Sequence, residues 1–317
     1  MIRWGVVSTI RAPLPEILDF AAWHLDQGAA KLYLYLDDDV PETLAVLNRH
    51  PAIRATHTDA AWWAKRNGRP DRHQVRQSLN ARHANNRQVG RSSAEVDWLV
   101  HIDVDEFLIS RMPIDTQLEA LPDSALCARV RPIEALAPTD NTKGIAFKAC
   151  HQDQAARQAA SEACFPTWGG YLSGGFLSHV AGKLFFRAGL KGLQIKIHNV
   201  ILGDETNPGQ ASLPGIELGH LHARNWDQFL ADYRFRLAQG SYRSELKAQV
   251  RTGAEVPNLH ELFTTIETEQ GEAGLRAFYR EVGTATPELC DRLEAHGLLR
   301  RHDLDLPTHR TRHFPGC

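Results

Sequence analysis

Residues 97–110, D-W-L-V-H-I-D-V-D-E-F-L-I-S, run from an apolar segment into three carboxylates without a break. Trp98, Leu99, Val100 and Ile102 have the character of a strand covered on both faces, which places them in the interior of a sheet. Asp103, Asp105 and Glu106 follow directly and are closed in by Phe107, Leu108 and Ile109. Carboxylates in apolar surroundings are costly unless something pairs with them. On an extended chain Asp103 and Asp105 share one face while Val104 takes the other, so two acids aim at one point. A divalent cation that favours oxygen ligands, Mg²⁺ or Mn²⁺, is the simplest partner for them. The plain alternative is a solvated acidic turn at a strand end.

The chain before this segment alternates strands and helices. Trp4–Ile10, Lys31–Leu36 and Ile53–His57 are short β-favouring runs, and Leu14, Ile17, Leu18, Ala21, Ala22 and Leu25 mark one helical face between the first two. Pro15 near its start and Gly28 past its end punctuate that helix. Asp39 can cap a second helix with Pro41 in its first turn. Residues 71–86 suggest a third, polar helix leading to the Trp98 strand. This order predicts an α/β fold with a mostly parallel, Rossmann-like sheet and helices on both faces. Ligands bind such sheets beyond the carboxyl ends of the strands. Thr9 and Arg11, Asp37 to Asp39, and Asp103 to Glu106 all fall there.

Farther on, residues 126–133, 183–186 and 195–200 read as strands, and 151–175 as a segment without clear periodicity, suited to a flap over the site. Trp226, Phe229, Leu230, Tyr233 and Leu237 have helical spacing, and further helices are expected over 259–269, 272–282 and 287–296. The tail with Arg300, Arg301, Arg310 and Arg312 reads as a solvated terminus. The expected organisation is a catalytic domain over 1–240 and a helical extension over 241–317.

Bulk composition narrows the classes. The 36 basic and 38 acidic residues nearly cancel, so no global field points to nucleic acid or an anionic membrane. No apolar run is long enough for a transmembrane segment, and the amino terminus lacks a signal-like apolar stretch, so a cytoplasmic location is expected. The five cysteines are scattered, without a C-x-x-C pair, and suggest neither a disulfide framework nor a structural zinc site.

A second notable stretch is G-H-L-H-A-R-N-W, residues 219–226. His220 and His222 share a face of an extended segment, and neutral imidazole is a good ligand for Mn²⁺ or Zn²⁺. With 16 histidines in the chain, ordinary hydrogen-bonded side chains are the alternative. Arg224 can meet a phosphate bidentately or serve in a surface ion pair.

In order along the chain, T-I-R-A-P, W-H-L-D-Q-G, Y-L-Y-L-D-D-D, H-I-D-V-D-E-F-L, G-K-L-F-F-R and G-H-L-H-A-R-N-W-D-Q-F resemble bacterial glycosyltransferase family 2-like proteins of GT-A fold, over roughly residues 3–240. D-V-D-E-F resembles their metal-binding D-x-D motif. The resemblance implies a nucleotide-sugar donor lying along the strand ends, with Mn²⁺ or Mg²⁺ on its diphosphate. It places Thr9 and Arg11 near the base and ribose, Asp37 on the base or ribose, Asp103 and Asp105 on ribose and metal, and Glu106 in support. His220 would be the late metal ligand, with His222 in reserve, and Lys183 or Arg224 would face the diphosphate. Relatives commonly carry Asn-Glu where this chain has Arg11 and Ala12. The acidic signature of the catalytic base has no clear counterpart either, leaving Asp204, Glu205 and Glu217 as candidates. Transfer to a glycan, lipid-linked or protein acceptor with inversion is the implied reaction. A metal-dependent phosphoester hydrolase and a non-catalytic nucleotide-binding protein are the competing classes.

Overall fold

The computed structural model describes residues 1–38, 40–90, 94–139, 144–239, 250–251, 254–255 and 258–317. The capping role expected of Asp39 and the boundary expected at 240/241 lie outside the described residues. Two compact units emerge: residues 1–132, 181–219 and 305–317 form the first, and 133–180 with 220–304 the second.

The first unit begins as the sequence leads one to expect, with β1 (Trp4–Ile10), α1 (Leu14–Asp26), β2 (Lys31–Leu36), α2 (Pro41–Asn48) and β3 (Ile53–His57). A short α3 (Ala60–Ala64), capped by Asp59, and α4 (His73–Asn86) lead to β4 (Trp98–His101). Strands β3, β2, β1 and β4 are parallel neighbours in that order. All of β1 is buried, which requires cover on both faces of the sheet because successive side chains alternate. At Gly5 a Cβ would lie 2.7 Å from the Lys31 carbonyl, so β1 and β2 need glycine there.

The strand expected to run unbroken into the carboxylates is in fact interrupted. β4 ends at His101, residues 102–105 turn, and β5 (Glu106–Ser110) resumes. The Glu106 amide donates to the Asp103 carbonyl (3.1 Å), while the Asp103 amide donates to the Glu106 carboxylate (2.8 Å). This local exchange of hydrogen bonds holds the chain in a turn, so strand alternation does not set the relation of Asp103 to Asp105. α1 anchors the far side: the Trp23 indole donates to the Leu108 carbonyl at 2.8 Å, and His24 Nε2 accepts from the Leu108 amide at 3.3 Å. His24 Nδ1 then donates to the Phe20 carbonyl, and burial pushes this imidazole down to about 4, so it stays neutral.

After α5 (Ile114–Glu119), β6 (Cys127–Ala135) passes from the first unit into the second, where β7 (Ile145–Lys148) and α6 (Gln154–Cys164) follow. The segment expected as a flap thus contains a helix, capped by Asp153 and burying Ala160, Ser161 and Cys164. Back in the first unit, β8 (Lys183–Arg187) pairs antiparallel with both β4 and β6, so the sheet is parallel on one side and antiparallel from β8 outward. The single strand expected over 195–200 is two, β9 (Gln194–Ile195) and β10 (Val200–Leu202), because the Lys196 amide turns back onto the Asn199 carbonyl. β11 (Glu205–Thr206) completes that small sheet, and β12 (Ala211–His220) pairs with β5.

The second unit continues with α7 (Trp226–Gln239), the hairpin β13 (Val250–Arg251) and β14 (Ala254–Glu255), α8 (Leu259–Gly283), α9 (Pro287–Ala295) and β15 (Leu299–His302). α8 is broken at Gly271 (φ +60°), matching the two helices expected there. Its core includes a buried ion pair, Lys148 Nζ to Glu134 at 3.0 Å, with the ammonium also donating to the Gly175 and Val282 carbonyls.

The carboxyl-terminal tail corrects the expectation of a solvated terminus. α10 (Leu306–His313) packs on α1 in the first unit. Asp26 takes His309, Arg312 (2.7 Å) and His313 (2.9 Å), and Arg310 reaches Asp19. Arg310 and Arg312 are paired across helices, a relation that no local pattern encodes, while Arg301 in β15 stays exposed as expected. No disulfide joins any of the five cysteines.

Gly182 immediately precedes Lys183, has φ +70°, and would place a Cβ 2.0 Å from the Val130 carbonyl. Gly182→Ala is expected to lower unfolding free energy by roughly 2 kcal/mol or more. Gly192→Ala, also at positive φ but in open space, should cost only ~1 kcal/mol. Urea unfolding of both variants checks this, and equal losses would mean that crowding at Gly182 is unimportant.

Candidate functional site

In the first unit the polar residues at the carboxyl ends of the parallel strands are held by one another. Lys183 Nζ, on a side chain 2% exposed, meets Asp103 Oδ2 at 2.6 Å and Glu106 Oε2 at 3.1 Å. The other Asp103 oxygen accepts from the Gln77 side-chain amide. Burial favours the neutral form of each group. The opposite charges more than offset it, so Asp103 is held down at about 2 and Lys183 is raised above the usual lysine range. Lys183, expected to face a diphosphate, is therefore committed to two carboxylates.

His101, at the end of β4, is buried with neither ring nitrogen partnered. Burial, reinforced by the Lys183 charge, lowers it to about 3 and keeps it neutral.

Asp37 is the second anchor. Its side chain is 2% exposed; one oxygen meets Arg76 Nε (2.8 Å) and Arg69 (3.0 Å), and the other accepts from the Thr58 hydroxyl (3.0 Å). A cavity of about 490 Å³ lies beside it, lined by Asp37, Asp38, Thr58, Trp63 and Arg69 among others. Thr9 is buried and its hydroxyl accepts from Asn80 at 3.0 Å, whereas Arg11 lies outward with Asp38 at 3.6 Å. Asp105 sits half-buried in the turn after β4.

Of the candidate bases, Asp204 and Glu205 are exposed at the β10–β11 hairpin. Glu217 is half-buried within β12, and strand alternation directs it to the opposite face from His220.

In the second unit His220 and His222 do share a face: their rings stack with centroids 5.2 Å apart. His222 is buried, with Nδ1 3.5 Å from Asp232. Left-handed Ala223 (φ +53°) turns the chain after them, and its carbonyl accepts from Tyr279 Oη at 2.8 Å. Arg224, next along, is exposed.

Sequence reasoning missed Arg69, Arg76, Gln77 and Asn80. A signal for two of them exists. Gln77, Asn80, Ala81, Ala84 and Asn85 are the buried positions of α4, at helical spacing, so its inward face mixes amides with alanines. Buried amides need partners, and Thr9 and Asp103 supply them.

No protein-family model matches the chain, and no curated protein matches it. Solved structures similar to it include HddC from Yersinia pseudotuberculosis, at 10% identity over 46% of this chain and 67% of that one, with a TM-score of 0.28. The galactosyltransferase LgtC in complex with donor and acceptor sugar analogs matches at 13% identity over 58% of each chain, also at 0.28. The mannosyltransferase Ktr4p from S. cerevisiae matches at 10% identity over 43% of this chain and 40% of that one, at 0.24. The chain therefore spans less than two thirds of the latter two proteins, and likenesses this weak carry no argument about function. Among the described residues no helix is long and apolar enough to cross a membrane.

Lys183→Met leaves Asp103 and Glu106 without their shared cation and should cost roughly 3 kcal/mol or more near neutral pH. The pairing depresses Asp103 from its ordinary 3.8 to about 2, so its stabilisation is complete above pH 4 and fades as the pH falls toward 2. The stability gap between wild type and variant, followed by urea unfolding, should narrow over that window. A gap that stays constant between pH 4 and 2 would falsify the pairing.

Proposed function

We propose that this chain is a glycosyltransferase that moves a sugar from a nucleotide-sugar donor to an acceptor hydroxyl with the help of a divalent cation. The supporting observation is the placement of the D-x-D acids in a turn at the carboxyl end of β4, in the same sheet whose β2 ends at the Asp37 cavity. Open parallel sheets bind ligands there. The resemblance of the ordered motifs to GT-A glycosyltransferases names the ligand.

Within this reading Asp37, with its position fixed by two arginines and Thr58, accepts hydrogen bonds from the base or ribose. A carboxylate immobilised in advance loses little freedom on binding. Asp103 has Lys183 and Gln77 on its two oxygens, so it is assigned to positioning the turn and orienting ribose. By the same resemblance Asp105 is assigned as the carboxylate ligand of the cation and His220 as its late imidazole ligand, with His222 in reserve. An imidazole in the ligand set suits Mn²⁺ better than Mg²⁺, which prefers oxygen. When bound, the ion supplies charge stabilisation to the departing diphosphate. The acceptor hydroxyl's proton must go to a carboxylate, and Asp204, Glu205 and Glu217 are the candidates to compare by amide substitution.

The deciding experiment incubates the protein with a panel of nucleotide-sugars and Mn²⁺ and follows release of nucleoside diphosphate. Asp105→Ala should reduce that release by about 100-fold or more, as expected for losing a principal electrostatic contribution, while leaving the unfolding temperature within a few degrees of wild type. Wild-type Mn²⁺ affinity and turnover in Asp105→Ala would sink the metal assignment. Cleavage of simple phosphoesters would favour a hydrolase. Thermal stabilisation by nucleotide without turnover would favour a binding protein.

A further inference from the structure

A second cavity of the first unit, about 570 Å³, lies along the outer strand β3 and has no lining residue in common with the Asp37 cavity. Lys31, Arg54 and Arg87 line it, with Trp62, His50 and His83. Glu95 is the carboxylate beside these cations, 3.6 Å from Lys31 and 4.0 Å from Arg54, and it also accepts from Tyr33 Oη at 2.9 Å. Three cations against this carboxylate leave two positive charges. Both histidines are neutral at pH 7: burial, aided by Arg66, Arg87 and Arg54, holds His83 at about 4, and burial with His313 and Lys31 lowers His50.

Two hydrogen-bond donors on the lining residues, Arg87 Nε and Trp62 Nε1, are buried and have no partner. Buried donors are rarely left unmade, because each costs on the order of 1–3 kcal/mol of desolvation. The Trp62 ring is itself occupied: the Arg66 guanidinium lies 3.4 Å over its face, and Tyr35 and His83 pack against it with ring centroids at 5.7 and 4.8 Å. That arrangement disfavours stacking of a nucleobase. Nor is the edge of β3 open to an added peptide strand at its centre, since the Asn48 carboxamide both donates to and accepts from the Ala55 backbone.

We propose that this cavity binds a phosphate dianion, either free or as the phosphate group of a small phosphomonoester. Two uncompensated positive charges match its charge, and guanidinium groups match its oxygens. The inference does not rest on the glycosyltransferase reading.

Isothermal titration at low ionic strength with inorganic phosphate, and separately with glycerol 3-phosphate, tests it. Wild type should give saturable binding of at least one of the two below about 10 mM. Arg54→Ala, at a side chain 44% exposed, and Arg87→Ala should each weaken it by about tenfold or more. Arg69→Ala, in the other cavity, should leave it unchanged. Equal affinity for both ligands identifies the phosphate group itself as the determinant, and binding of the ester alone identifies an esterified source. If Arg87→Ala fails to fold, Arg54→Ala decides. The proposal is overturned if neither ligand binds saturably, if Arg54→Ala binds as wild type does, or if Arg69→Ala rather than Arg54→Ala abolishes binding.

Discussion

The Lys183 ammonium holds Asp103 and Glu106 at once, and much of the first unit exists to make that contact possible. The cation comes from β8 and the carboxylates from the turn after β4, so the antiparallel pairing of those strands must be in register before the charges meet. Gly182 lets β8 start close to the Val130 carbonyl, and α1 pins β5 through Trp23 and His24. Buried ion pairs are often poor contributors to net stability. Here the pair serves geometry: with Asp103 and Glu106 both held by Lys183, the turn at 102–105 is specified.

Asp37 follows the same pattern with different residues. Two arginines reach it from the segment between β3 and the interior of α4, and Thr58 reaches it from the end of β3. α4 thereby connects three strand ends, through Arg76 to Asp37, Gln77 to Asp103 and Asn80 to Thr9. A helix whose inward face is amide and alanine, instead of leucine, is poor at making a core and good at fixing polar groups. Its farther end carries His83 and leads to Arg87 in the proposed anion cavity.

Legibility varied with the range of the interaction involved. β1, β2 and β3 have the bounds expected from their apolar runs, and the Gly271 break divides α8 where two helices were expected. Hydrophobic periodicity is a local property, and these elements follow it. The turn within 102–105 stood only as the alternative to a continuous strand, because the hydrogen bond between the Asp103 amide and Glu106 that competes with strand continuation leaves no trace in apolar spacing. α6 was hidden because its buried face is made of small residues, Ala160, Ser161 and Cys164, in place of large apolar ones, although Asp153 was available as a cap signal. The docking of α10 on α1 joins His309 to Asp26 across most of the chain, beyond the reach of any local rule.

By itself the sequence determined the alternation of strands and helices in the first hundred residues, the burial of the Trp98 strand, and the concentration of acids just after it, since these depend on side-chain volume, polarity and spacing over a few residues. Tertiary structure decided what those acids are for. Asp103 and Asp37 each bring costly buried charge, and which cation offsets it depends on strands and helices far away in sequence: Lys183 from β8 for one, Arg69 and Arg76 for the other. Coulombic attraction falls off with distance in space and is indifferent to distance along the chain, so only the folded arrangement could say which basic residues stand beside which carboxylates.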